Sequence, residues 1–194
     1  MREYIEPTES PLSYEELQTF FVQGEKCNIR AITIQDAPSI YENANDPSIY
    51  KKRLTRQKDG EYTEQDAYYF VDYVNDEHKK NHKRVFGIEV DGKVVWVVSI
   101  TKNDSPYDKT VYMGAWIGTK YRGKWYPVEA LRLLQNNAKK LFPGLIRLEA
   151  RLFETNTALP HILEQLWFVL EAKLENRIVY NGNIMDEVIR RKSI

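Results

Sequence analysis

The sequence has one cysteine, Cys27, no long run of apolar residues and no excess of either charge. A single cysteine cannot form an internal disulfide and suits a reducing compartment. With no apolar run of about 20 residues, a membrane-spanning helix is not expected. The 28 basic and 28 acidic residues give a formal net charge of zero, which argues against broad electrostatic binding of nucleic acid. The polar start, "MREYIEPTES", does not resemble a targeting peptide. We therefore expect a cytoplasmic protein that binds neither nucleic acid nor membranes.

The 194 residues, of which 42% are hydrophobic and 29% charged, are enough for one domain with a sizeable core. Residues 1–24 carry one helical pattern, "SYEELQTFF", and are predicted to form an N-terminal helical extension of a single domain over residues 25–194. The later patterns predict a strand, two helices, three strands, a helix, a strand, a helix and two strands. Asp91-Gly92 and Asn181-Gly182 predict hairpin turns. This order predicts a mixed α/β (α+β) domain with a mostly antiparallel sheet.

The loop "TKYRGKWYP" (119–127) joins a predicted strand to a predicted amphipathic helix. Loops that bind phosphates at a helix start usually carry glycines, so that backbone N–H groups can approach the ligand closely. This loop has Gly123 but then Trp125 and Pro127, and proline has no N–H to offer. The loop therefore has the position of a phosphate-binding loop, but Trp125 and Pro127 are not the residues that such a loop usually carries.

Four segments, "WIGTKYRGK", "EALRLL", "IRLEARLFETNTA" and "FVLEAKLENRIVYNG", together resemble the GNAT family of N-acetyltransferases. The resemblance spans roughly residues 25–190 and is nearest to the branch that acetylates the N-termini of ribosomal proteins and related amines. It implies an acyl-CoA N-acyltransferase fold, with a mixed, mostly antiparallel sheet flanked by helices, and acetyl-CoA as the cofactor.

The resemblance also implies which residues hold acetyl-CoA. The pyrophosphate would lie on the loop at Arg122, Gly123 and Lys124, where the positive end of the following helix favours a dianion. The strand backbone around Gly114 to Trp116 would bind the thioester carbonyl, and Trp116 and Ile117 would belong to the cofactor site. Asn156 would hydrogen-bond the pantetheine arm, although a helix-capping role is equally expected for it.

Several positions depart from the family pattern. Tryptophan replaces a small residue or glycine at 96, 125 and 167, and Pro127 replaces a glycine or alanine. In the family fold these positions are expected to converge on the acetyl-CoA cleft. The altered set, which we take as a candidate new binding site, comprises Trp96, Trp125, Tyr126, Pro127, Leu159, Pro160, Gln165 and Trp167.

Three interpretations follow from this clustering. We favour the first, in which the cleft has been remodelled, as in an engineered scaffold, to bind a protein or an aromatic small molecule, and acetyl transfer is lost or weakened. In the second, the chain is an active N-acetyltransferase that acts on a protein N-terminus or a small amine. In the third, the tryptophans only fill the cleft. An exposed aromatic patch would also favour a homodimer.

Glu149 and Glu129 are the candidate catalytic carboxylates, since the resemblance places them on the central strand and at the start of the loop's helix. The alternative for both is a structural ion pair. His78 and His82 have a spacing seen in metal sites, but without a third ligand nearby we expect solvated histidines and no metal. Cys27 is expected to be a buried thiol rather than a nucleophile.

Overall fold

The computed structural model describes residues 6–46, 62–103, 105, 107–117, 119–180 and 182–194. Most of the polar stretch 46–65, which we predicted to be a loop with a short helix, lies outside the described residues. The helices are α1 (Tyr14–Gln18), α2 (Ala37–Ala44), α3 (Glu64–Lys79), α4 (Tyr126–Asn136), α5 (Ala138–Leu141) and α6 (Ala158–Gln165). The strands are β1 (Phe21–Val22), β2 (Asn28–Arg30), β3 (Lys83–Val90), β4 (Lys93–Lys102), β5 (Thr110–Ile117), β6 (Arg147–Phe153), β7 (Val169–Tyr180) and β8 (Asn183–Ser193).

The described strands form one sheet in the order β1-β2-β3-β4-β5-β6-β8-β7. Neighbouring strands are antiparallel except β5 and β6, which are parallel. The chain reaches β6 from β5 through α4 and α5, as a parallel pair requires a crossover connection. The predicted fold class, a mixed and mostly antiparallel sheet flanked by helices, is confirmed.

Helices cover both faces of the sheet and enclose two apolar cores. The first core contains Val128, Leu131 and Leu134 of α4 together with the facing side chains of β3, β4 and β6. Leu17 and Phe20, from the predicted N-terminal extension, are buried in this same core, and β1 pairs with β2. The second core lies under α2 and α3 on the other face. Among the described residues, no helix is long and apolar enough to cross a membrane.

A bulge in β4 changes which face its side chains point to. Ile88 of β3 pairs with Trp96 whereas Glu89 pairs with Val94, which leaves Val95 as the extra residue. Val95 and Trp96 both enter the first core as a result, although they are consecutive in the chain. The bulge therefore turns the indole of Trp96 towards the α4 side of the sheet.

Tight turns end the two long hairpins. At the β3–β4 turn, Asp91 and Gly92 have φ of 50° and 74°, the pair of positive angles that a two-residue type I′ turn requires. Tyr180 pairs with Asn183 across the β7–β8 turn, so the second predicted hairpin is also present. Asn181, the first residue of the second predicted turn, lies outside the described residues.

Candidate functional site

Strands β5 and β6 separate part of the way along the sheet. They pair only from Thr110 with Arg147 to Tyr112 with Glu149. Beyond that point β5 continues along β4 to Ile117, and β6 continues along β8 to Phe153. Two strand edges that no longer pair with each other then face across an opening, which we call the β5–β6 split. Backbone N–H and C=O groups on such edges can bind an extended polar ligand.

The predicted carbonyl-binding backbone, Gly114 to Trp116, and the predicted cofactor-binding residue Ile117 lie on the β5 side of this split. Trp116 and Ile117 are the last residues of β5 and pair with Val97 and Trp96 of β4. The side chain of Trp116 packs against the second core.

Helix α4 begins just after β5 ends. A short 3-10 helix, Thr119–Tyr121, leads into the turn at Gly123, whose φ is 74°. The first helical hydrogen bond runs from the Glu129 N–H to the Trp125 carbonyl, at 3.1 Å. The N–H groups of Trp125, Tyr126 and Val128 come before it, and Pro127 has none. The helix start therefore keeps three backbone donors and the positive end of its dipole.

The Trp125 indole is turned towards the connection between β1 and β2. The Nζ atom of Lys26 lies 5.4 Å from its ring centroid, and 58% of the residue is exposed. Arg122 and Lys124 are exposed in the same loop, and the Lys124 Nζ lies 5.4 Å from the ring of Tyr121. The loop predicted to bind a pyrophosphate is thus cationic and accessible.

The structure corrects the prediction for Trp96, which is fully buried in the first core. Its indole stands edge-on to the rings of Tyr121 and Tyr126, with centroid distances of 6.2 and 6.4 Å. Its Nε1 has no hydrogen-bond acceptor among the described residues. Trp96 therefore packs against the tyrosines of the loop from inside the core and does not belong to an accessible binding surface.

Trp167 belongs to the end of α6. Its φ is 66°, the left-handed conformation that glycine adopts without strain. The Trp167 N–H donates to the Glu164 carbonyl at 3.0 Å and the Phe168 N–H to the Leu163 carbonyl at 2.9 Å. This is the Schellman arrangement at a helix C-terminus, completed by the buried pair Leu163 and Phe168. Helix termination therefore explains the glycine that the family pattern has at this position.

The other altered or retained positions of α6 lie near its first turn and its end. Asn156 Oδ1 accepts a hydrogen bond from the Leu159 N–H at 3.2 Å, which is the capping role considered for it. Leu159 packs against the first core, Pro160 is partly buried and Gln165 is exposed. With Trp96 in the core and Trp167 at a helix end, the altered positions do not form one continuous surface.

The carboxylate of Glu129 binds the β1–β2 connection. It accepts hydrogen bonds from the backbone N–H groups of Glu25 and Lys26, at 2.5 and 2.8 Å. The connection approaches so closely that a Cβ built on Gly24 would lie 2.7 Å from Glu129 Oε1. Burial, together with the charge of Glu129, raises the pKa of Cys27 to about 12. The prediction of a buried, unreactive thiol agrees with this geometry, and both Glu129 carboxylate oxygens already accept backbone hydrogen bonds.

Glu149 is the last residue of β6 that pairs with β5, so it stands at the start of the β5–β6 split. Its carboxylate is buried and paired with Arg147, at 2.5 Å, and with Arg151, at 3.3 Å. Glu171 extends this network to Arg147 and Arg191. The two candidate catalytic carboxylates thus have different partners: Glu149 pairs with arginines, and Glu129 accepts backbone N–H groups of the β1–β2 connection.

His78 is buried, contrary to the expectation of a solvated histidine. Its Nε2 accepts the Val85 N–H at 3.0 Å, and the buried guanidinium of Arg84 donates to its carbonyl oxygen at 2.8 Å. Burial, reinforced by the charge of Arg84, lowers the pKa of His78 to about 4. The described residues hold no group of three or more side chains arranged to bind a metal ion.

Sequence reasoning missed the part that Gly24 and Lys26 play. They contact the start of α4 across about a hundred residues of chain, and no local pattern signals such a contact.

A mixed sheet that splits between two parallel strands, with a helix starting at the split, is the architecture of acyl-CoA N-acyltransferases. Residues 26–169 match the family model described as acetyltransferase (GNAT) domain. The chain therefore belongs to the GNAT acetyltransferase family, and the resemblance inferred from its sequence is confirmed at that level. No curated protein matches the sequence.

Solved structures share the fold at low sequence identity. A microcin C7 self-immunity acetyltransferase, MccE, in complex with acetyl-CoA and AMP, is 20% identical, with a TM-score of 0.76, over 88% of this chain and 94% of that one. RimL, a ribosomal L7/L12 α-N-protein acetyltransferase in complex with coenzyme A, is 16% identical, with a TM-score of 0.78, over 90% and 98%. A ribosomal-protein-S5-alanine acetyltransferase from Vibrio fischeri is 20% identical, with a TM-score of 0.75, over 90% and 96%.

Proposed function

We propose that this protein is an acetyl-CoA-dependent N-acetyltransferase whose acceptor is an amine of a protein N-terminus or of a small molecule. The β5–β6 split, which opens beside the start of α4, is the observation that carries the proposal. It offers strand edges for the pantetheine arm and helix N–H donors for the pyrophosphate. The substitutions in the loop leave these features in place: the Trp125 indole is turned towards Lys26, and Pro127 removes one donor of several.

In the proposed reaction the acceptor nitrogen attacks the thioester carbonyl carbon, the carbon–sulfur bond breaks, and the acetyl group leaves with the nitrogen. The amine loses a proton and the departing thiolate gains one. The β5 backbone near Gly114 and Trp116 would stabilise the developing oxyanion, as backbone N–H groups do in acyl transfer. Glu149 stands near this point, and its arginine partners support a role in positioning rather than in proton transfer.

The acceptor class that we propose is based on what the similar solved proteins are named for. Two of them are named for acetylating ribosomal proteins, and a third is named for self-immunity to microcin C7. Both kinds of activity are compatible with an amine as acceptor, which is as far as the proposal for this chain goes.

Titration calorimetry tests the cofactor part of the proposal. We expect micromolar affinity for acetyl-CoA, and an affinity for acetyl-pantetheine that is lower by at least about tenfold because this fragment lacks the pyrophosphate. Replacing Pro127 by alanine restores a backbone donor, so acetyl-CoA should bind about tenfold more tightly, the value of one hydrogen bond to a charged group. Acetyl-pantetheine should bind Pro127→Ala and the native protein equally.

Pro143→Ala is the matched control, because Pro143 lies in the connection between α5 and β6 and should leave both affinities unchanged. Absence of acetyl-CoA binding at millimolar concentration would contradict the enzyme proposal. A gain in affinity of Pro127→Ala for both ligands alike would instead contradict placing the pyrophosphate at the start of α4.

A second candidate function is a binding module for a protein or an aromatic ligand. Two large side chains favour it: Trp125 is 58% and Trp167 80% exposed. Such residues are frequent at the centres of protein interfaces. This candidate would lead if acetyl-CoA failed to bind, and it would rest on these two residues, since Trp96 is enclosed in the core.

A further inference from the structure

The exposed indole of Trp125 has cationic neighbours. Lys26 Nζ lies against the ring, and Arg122 and Lys124 are close in the chain and exposed. The carboxylate of Glu129 is also near, but its oxygens accept the backbone N–H groups of Glu25 and Lys26. The accessible surface around the ring therefore combines a flat aromatic face with positive charge, a combination that suits a planar ligand carrying phosphates.

This surface is held in place before any ligand arrives. Glu129 fixes the backbone of Lys26 with a hydrogen bond of 2.8 Å, and the Cys27 Sγ lies 3.6 Å from the Tyr126 carbonyl oxygen. The close approach at Gly24 admits no side chain there. The Lys26 backbone is thus fixed relative to α4, and the free N–H groups of α4 are adjacent to Trp125. A preformed site loses less entropy when a ligand binds.

Within the proposed function, the planar phosphate-bearing part of the substrate is the adenine nucleotide half of coenzyme A. We propose that Trp125, with Lys26 on one side of its ring, is a stacking platform for that adenine. This inference rests on the proposed function. Trp125, which replaces the loop glycine, would then contribute to cofactor binding. This contribution would compensate for the backbone donor that Pro127 lacks. Stacking of a base on an aromatic side chain raises affinity by about tenfold or more.

Three ligands separate the parts of the cofactor: acetyl-CoA, acetyl-phosphopantetheine, which lacks the nucleoside, and adenosine bisphosphate, the nucleotide half alone. Calorimetry should show that Trp125→Gly lowers the affinity for acetyl-CoA and for adenosine bisphosphate by about tenfold. The affinity for acetyl-phosphopantetheine should stay unchanged. Trp125→Phe should retain most of the affinity, because a smaller ring still stacks. Trp167→Phe, a change at the other exposed tryptophan, is the matched control and should alter none of the three.

Thermal unfolding of each variant shows whether it is folded at the titration temperature. An equal loss of affinity for all three ligands, no loss for any, or a gain for acetyl-CoA in Trp125→Gly would each overturn the stacking role while acetyl-CoA still binds the native protein. If the native protein binds adenosine bisphosphate through Trp125 but not acetyl-CoA, the platform stands and the proposed function fails. If it binds neither, both fail.

Discussion

Three tryptophans that replace small residues of the family pattern have three different physical roles. Trp96 fills the first core, Trp125 stands exposed at the start of α4, and Trp167 occupies a left-handed position at the end of α6. A side chain's contribution depends on its surroundings: burial of an indole stabilises the fold, whereas a positive φ strains any residue with a Cβ. Replacement by glycine should therefore change the free energy of unfolding in opposite directions at Trp96 and at Trp167.

Trp167→Gly should raise the free energy of unfolding by about 1 kcal/mol, because glycine adopts the left-handed conformation without a Cβ clash. Trp96→Gly should lower it by about 4 kcal/mol, because it leaves a cavity in the core. Urea unfolding followed by far-ultraviolet circular dichroism measures both changes.

Trp167→Ala is the control for the first of these changes. Alanine keeps the Cβ, so it should not gain the stability that glycine gains. Equal stability of the alanine and glycine variants would show that exposure of the indole, and not backbone strain, decides the effect.

At the scale of elements, the start of α4 depends on the connection between β1 and β2. Glu129 accepts two backbone N–H groups from this connection, and Lys26 reaches the ring of Trp125. The helix start is therefore held by groups from the opposite end of the chain. From this contact we expect Glu129, a candidate base by resemblance, to have a positioning role.

Replacement of Glu129 tests this role. Glu129→Ala should lower the free energy of unfolding by about 2 kcal/mol, since two backbone donors lose a charged acceptor, and Glu129→Gln should lose about half as much because one amide oxygen remains. Chemical denaturation and acetyl-CoA titration of both variants are the measurements. A catalytic base would behave differently: Glu129→Gln would then keep native stability and affinity and lose only turnover.

At the scale of the whole molecule, α3 is joined to β3 through a buried polar pair. Arg84 lies in the interior with its guanidinium on the His78 carbonyl and on the Asn81 side chain, and His78 accepts the Val85 N–H. Neither Arg84 Nε nor His78 Nδ1 has a partner among the described residues. The folded protein therefore keeps His78 neutral, and the stability of the protein decreases when the pH falls.

His78 has a pKa of about 4 in the folded protein, against an ordinary value of 6.5. Between these two values the unfolded chain binds a proton that the native protein does not, so stability falls as the pH falls. The free energy of unfolding should decrease by about 1.4 kcal/mol per pH unit in this window. Denaturant unfolding at a series of pH values measures this slope.

His78→Gln removes the titrating group and should flatten the slope, while its amide oxygen can still accept the Val85 N–H. His161→Gln changes a histidine whose side chain is 79% exposed and should leave the slope as it is. The pKa values of Asp36 and Glu89 are also lowered in the fold. Burial by itself would raise the pKa of Asp36, but hydrogen bonds from Arg30 and Thr33 outweigh it, and Arg30 is the main cause for Glu89. Their contribution to stability is lost as the pH falls below their ordinary values of 3.8 and 4.5, so the slope above pH 4.5 belongs to His78. An unchanged slope in His78→Gln would attribute the effect to other groups.

The fold, the β3–β4 turn at Asp91-Gly92 and the family could all be predicted from the sequence, because periodicity, turn dipeptides and loop-to-helix segments are local signals that neighbouring residues carry together. The sequence also indicated the capping role of Asn156. The surroundings of the tryptophans were decided by the tertiary structure alone: a bulge turns Trp96 into the core, and a helix end sets the φ of Trp167. The contact of Lys26 with Trp125 joins segments about a hundred residues apart. Whether a residue packs, stacks or strains depends on such non-local contacts, so only the folded chain shows it.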